Sequence, residues 1–172
     1  MKNDLLFGIT ESGVIHTDQD PPVPLETKFK MVKDSGVYDY FDKTPPKELE
    51  EDYLRYSEKY DLPILAGGWY YVLGRDEGLL MENLRLGGRL GSLVHNTQII
   101  MDHADGSLVS DEQVSETYLK SYEIGEETGC RPTFEVHVNM WSEDFRRIEK
   151  VADLVERHGI PFRMTLDHSH VI

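Results

Sequence analysis

From Thr133 to Met140 the chain alternates polar and apolar residues, and it does so again from Phe162 to Ser169. In a β-strand a period of two places Thr133, Glu135, His137 and Asn139 on one face and Phe134, Val136, Val138 and Met140 on the other. The second stretch sets Arg163, Thr165, Asp167 and Ser169 against Phe162, Met164 and Leu166. Between them lies an amphipathic helix pattern, with Ile148, Val151, Ala152 and Val155 inward, Ser142 as its cap, and Gly159 and Pro161 closing it. Strand, helix and strand of these lengths predict a parallel pair covered on its apolar face. The polar faces then point into an enclosed space. Carboxylates and imidazoles gathered there need a metal, a proton transfer or a substrate to offset their desolvation.

The same alternation of elements predicts the rest of the chain. A first strand spans Leu5 to Thr10, a short helix Leu25 to Lys33, and a second strand Val37 to Phe41. Thr44, Pro45 and Pro46 open a helix with Leu49, Tyr53, Tyr56 and Tyr60 near helical spacing. A third strand begins over Leu62 to Ala66, with a tight bend expected at Gly67 and Gly68. The helix from Leu79 to Leu86 is expected to break at Gly87 and Gly88, before a fourth strand from Leu93 to Met101. Ser110 and Gln113 form a capping box for a helix whose buried stripe is Val114, Tyr118 and Tyr122 and which ends at Gly129. Six strand–helix units short of one helix fit a (β/α)8 barrel of TIM type or a doubly wound sheet. Central strands of a doubly wound sheet are apolar on both faces, whereas barrel strands can aim polar residues at the axis, so the barrel fits better.

Composition adds exclusions. At 172 residues the chain suits one domain with a sizeable core. No segment reaches the roughly 20 apolar residues of a membrane span, and the start of the chain lacks a signal peptide's apolar core, so a cytoplasmic location is expected. Cys130 is alone, which excludes a disulfide framework and a thiolate metal site. The formal charge of −14 would repel polyanions, so nucleic acid is not expected as a partner, and without an apolar span neither is a membrane.

With Glu135 on the fifth strand and the sixth ending in Leu166, Asp167, His168, Ser169 and His170, the sequence resembles the xylose-isomerase-like (β/α) barrels. These are sugar isomerases, sugar and sugar-phosphate epimerases and endonuclease IV. The resemblance covers nearly the whole chain and rests on few residues. It implies that Glu135 and Asp167 bind a divalent metal and that His170 contacts the substrate. The family pattern adds a His on a seventh strand and a Glu on an eighth, which this sequence does not hold. A complete barrel takes about 250 residues, so the chain covers about the first six strands as a single partial domain over residues 1–172. A fragment, a barrel completed by a second chain, and self-association that covers the sheet edges are the three explanations.

The implied chemistry is a proton transfer through an enediolate on a sugar or sugar-like polyol. Manganese, then magnesium, suits an oxygen-rich site with an imidazole or two. Glu135 would be the base and a metal ligand, Asp167 a metal ligand only. His137 shares the Glu135 face, where it is a substrate contact, a partner that orients the carboxylate, or a hydrogen-bonded interior histidine. Trp69, with Tyr70 and Tyr71, is an apolar wall for the sugar or plain packing; His95, Asn96 and Gln98 are weaker candidates. Other readings are a non-catalytic barrel subunit or binding module, a lyase or deglycosidase working through a similar carbanion, and an endonuclease IV-like phosphodiesterase, which the acidic charge disfavours.

Overall fold

The computed structural model describes residues 5–14 and 22–167. In chain order these form β1 (Gly8–Thr10), α1 (Glu11–Val14), α2 (Leu25–Ser35), β2 (Tyr40–Asp42), α3 (Glu50–Tyr60), β3 (Ile64–Tyr71) and α4 (Glu77–Leu90). They continue through β4 (Val94–Ile99), α5 (Asp111–Thr128), β5 (Arg131–Val136), α6 (Phe145–Glu156) and β6 (Met164–Leu166). The six strands make one sheet in sequence order, and every neighbouring pair is parallel. From α2 to α6 each helix packs on the next, so the helices form one layer outside a sheet that curls as the first six strands of a (β/α)8 barrel.

Two apolar clusters hold that layer to the sheet. Phe29, Val32, Phe41, Tyr53, Leu62 and Ile64 fill the space under β2 and β3, with Phe29 stacked on Phe41 at 4.6 Å between ring centroids. Leu80, Leu84, Ile99, Val114, Tyr118, Phe134, Val151 and Val155 fill the space under β3 to β6. Strand β4 shows the alternation that separates the two faces: His95, Thr97 and Ile99 are buried toward the helices, while Asn96 and Gln98 are half-buried on the concave face.

The capping box at Ser110 forms in both directions: Ser110 Oγ accepts from the Gln113 amide and Gln113 Oε1 accepts from the Ser110 amide. Elsewhere glycine misleads. Strand β3 runs straight through Gly67 and Gly68 to Tyr71, and α4 continues through Gly87 and Gly88 to Leu90. These glycines make room for neighbours. A Cβ at Gly67 would lie 2.4 Å from Thr44 Oγ1, and one at Gly87 would lie 2.6 Å from Cys130 Sγ. Each helical glycine costs about 1 kcal/mol relative to alanine, and here the cost is offset by close packing of α4 on the residues around Cys130.

Two further expectations near the fifth strand are corrected. The strand stops at Val136, because Asn139 takes a left-handed conformation (φ 61°) that turns the chain, so His137 lies just past the strand. Ser142 does not cap the following helix; Asp144 does, accepting from the Arg146 amide, while Ser142 sits in a buried 3₁₀ turn.

Candidate active site

The concave face carries the polar side chains. Glu135 projects there from β5 and is only 5% exposed. Its Oε2 accepts hydrogen bonds from Asn96 Nδ2 at 2.6 Å and Gln98 Nε2 at 2.5 Å, both on β4. Two amide donors on one oxygen fix the carboxylate's orientation; among the described residues Oε1 receives none. The backbone behind it is clamped as well. Ser142 Oγ donates to the Glu135 carbonyl oxygen and accepts from the His137 amide, tying the end of β5 to the turn before α6. Next to Asn96 Nδ2, the other end of that amide is unmet: Asn96 Oδ1 is buried without a hydrogen-bond partner among the described residues.

A second carboxylate shares this surface. Asp42, on β2, has its carboxyl raised above the usual range, first by burial and then by the negative charge of Glu135. With Thr10, Lys43, Thr44, Asn96 and Gln98 it lines a cleft of about 250 Å³ at the C-terminal ends of the first strands. Lys43 is held there by Glu11 at 2.8 Å. Burial alone would raise the Glu11 carboxyl, but bonds from Lys28, Lys43 and Tyr53 outweigh it and lower it to about 2.

The residues singled out in the sequence fall as follows. The ladder pairs Glu135 with Thr165, and Asp167 lies two residues beyond Thr165, half-buried and one residue past the end of β6. Thr165 Oγ1 donates to Thr133 Oγ1 at 2.8 Å, joining β5 and β6 on this face. His137 is half-buried, and its Nδ1 donates to the Val138 carbonyl oxygen at 2.7 Å, so the proton sits on Nδ1. Trp69 is 45% exposed, lines the same cleft and stacks on Tyr70 at 5.0 Å. His170, like His168 and His16, lies outside the described residues. Asp42 escaped sequence reading because β2 shows too few residues for a period of two. Asn96 and Gln98 acquire meaning only through their register with β5.

His95 belongs to the other side of the sheet. Asn83 Nδ2 donates to the Tyr71 hydroxyl at 2.8 Å, and that hydroxyl is hydrogen-bonded to His95 Nε2 at 2.7 Å. His95 Nδ1 lies 3.4 Å from Thr44 Oγ1, so both ring nitrogens have a hydroxyl partner. Burial lowers the His95 pKa to about 4. Because the folded value lies below the unfolded one, protons favour the unfolded chain, and stability complete above about pH 6.5 is lost as pH falls toward 4. Urea unfolding should show a loss of about 2 kcal/mol between pH 6.5 and 5 from this residue. An equal loss in a His95→Gln variant would assign it to other groups.

The donor set can be compared with a divalent cation. Glu135 and Asp167 are hard oxygen donors of the kind manganese and magnesium take, and the unmet Asn96 Oδ1 adds an acceptor beside Glu135. Among the described residues no group of three or more His, Cys, Asp or Glu side chains is gathered closely enough to hold a metal. The described residues thus fit part of such a site. Nor is any described helix long and apolar enough to cross a membrane.

No protein-family model matches the chain, and no curated protein matches it in sequence. Solved structures match its fold. D-allulose 3-epimerase from Methylomonas sp., in complex with D-allulose, is 13% identical with a TM-score of 0.70, over 96% of this chain and 63% of that one. A probable 3-DHS dehydratase involved in petrobactin synthesis in Bacillus anthracis is 12% identical with a TM-score of 0.67, over 97% of this chain and 64% of that one. An AP endonuclease of family 2 from Brucella melitensis is 9% identical with a TM-score of 0.59, over 86% and 65%. The fold matches the first six strands of these (β/α) barrel structures, and the chain spans less than two thirds of their length. Three different activities on one fold mean that the site, not the fold, must carry the functional argument.

Proposed function

We propose that this chain carries the proton-transfer carboxylate of a divalent-metal-dependent isomerase or epimerase acting on a sugar or sugar-like polyol. One observation carries the reading: Glu135 is buried on the concave face with Oε2 held by Asn96 and Gln98. A carboxylate so oriented can take a proton from a carbon beside a carbonyl without first reorganising. Glu135 and Asp167 would hold the metal, manganese or magnesium, which when bound would stabilise the negative charge that forms on the substrate oxygens.

The rest of the cleft suits a substrate rich in hydroxyl groups. Thr10, Thr44, Asn96 and Gln98 offer donors and acceptors, and Trp69 supplies a flat apolar wall. Asn96 Oδ1 can accept from a substrate hydroxyl, which would satisfy a buried acceptor. His137, with its proton on Nδ1, is proposed as a substrate contact near the end of β5, and His170 as another.

Calorimetric titration with Mn²⁺ tests the metal, and deuterium uptake from D₂O into a ketohexose, read by NMR, tests the proton transfer. Stoichiometric Mn²⁺ binding that disappears in Asp167→Ala is expected, with deuterium appearing on the carbon next to the carbonyl. Neither binding nor exchange would favour the binding-module reading instead.

A further inference from the structure

On the helix side of the sheet a second cleft, of about 580 Å³, opens between residues 43–47 and α4. That volume falls within the roughly 300–1,000 Å³ of small-molecule sites. We propose that this cleft, which adjoins the concave one and shares Lys43, Thr44 and Trp69 with it, binds a small organic anion with a flat apolar body.

The apolar side of the cleft is exposed. Trp69 and Leu79 line the cleft at 45% and 42% exposed, beside the buried Pro45 and Leu86. An indole left half in water beside an exposed leucine and a proline-lined wall is a ready face for an aromatic ring. The polar side of the cleft is basic. In a chain of net charge −14, this cleft is lined by Lys43, Lys47, Arg85 and Arg89 against one acidic residue, Glu82.

Those cations fall into two kinds. Arg89 is committed: its Nε and Nη2 donate to the two oxygens of Glu50 at 2.6 and 2.9 Å, stapling α4 to the start of α3. Lys43 is committed to Glu11. Together with Pro45 and Pro46, whose rings restrict the backbone, these pairs fix the cleft's width before any ligand arrives. Lys47 and Arg85 are exposed, and neither forms an ion pair among the described residues. A pre-formed cleft with an open aromatic wall and two uncommitted cations at its edge matches a carboxylate or similar anion attached to a planar ring.

The test uses 2-naphthoate, with quenching of Trp69 fluorescence as the readout and 2-naphthylmethanol as the uncharged counterpart. Trp141 is buried and serves as the internal background. Saturable binding of naphthoate is expected, about tenfold tighter than the alcohol. The double variant Lys47→Ala/Arg85→Ala should lose that preference, and Leu79→Asp should weaken both ligands. Asn96→Ala, which alters only the concave cleft, should leave naphthoate affinity unchanged. Circular dichroism checks that the exposed-residue variants keep their fold. No saturable binding at millimolar concentrations, equal affinity in the double variant, or loss of binding only in Asn96→Ala would each overturn the proposal. None of these results depends on metal binding at Glu135.

Discussion

Glu135→Gln is expected to lower Mn²⁺ affinity by about 100-fold or more, since loss of a group that merely orients a ligand already costs 10–100-fold. Deuterium uptake into the ketohexose should fall with it. The substitution is chosen because glutamine keeps the side-chain length and an acceptor oxygen for Asn96 and Gln98, so the packing around β4 and β5 is retained while the charge is removed. A second readout needs no metal. The Asp42 carboxyl is raised by burial and by the Glu135 charge, and removing that charge should move its titration downward while the burial contribution stays. Carbon-detected NMR of the aspartate carboxyls would follow it. Unchanged Mn²⁺ affinity together with an unchanged Asp42 titration would mean that Glu135 neither holds a cation nor faces Asp42.

Phe134→Ala carries the largest expected stability loss. Phe134 is fully buried back to back with Glu135, and its ring meets Tyr118 at 5.1 Å, Phe162 at 6.1 Å and Trp141 at 6.3 Å, all edge to face. Removing it deletes apolar burial and leaves a cavity that four elements would have to collapse, a loss of about 3–5 kcal/mol. For a chain of this size that is a fall of roughly 6–20 °C in Tm. Phe145→Ala is the control: that ring is 56% exposed, and its removal should change stability by less than about 0.5 kcal/mol. Similar melting points for the two variants would show that the cluster under β3 to β6 is looser than its geometry implies.

Much of the architecture could be read from the residues because periodicity reports which face is covered. The alternation Thr133-Phe134-Glu135-Val136 survives as a strand with Phe134 and Val136 under the helices and Glu135 on the concave face. The stripe Val151 and Val155 faces the core in α6 as its spacing predicts. What periodicity cannot show is who stands opposite. Gly67 and Gly87 read as a bend and a break because glycine permits both, yet each is there because a side chain from elsewhere in the chain occupies the space. Ser142 has the chemistry of a helix cap and spends it on the Glu135 carbonyl instead. The amides of Asn96 and Gln98 meet a carboxylate 39 and 37 residues away, a pairing set by strand register rather than by local spacing.

Strand order that follows chain order has a consequence for how the molecule is made. Among the described residues each new strand joins the edge left by the one before, and no strand pairing skips over an intervening strand. Contacts of that kind keep loop-closure costs small, so assembly can proceed from the N-terminal end while the ribosome is still supplying the rest. The cluster around Phe29 and Phe41 draws only on residues up to Leu90, so it could close before Glu135 has been synthesised.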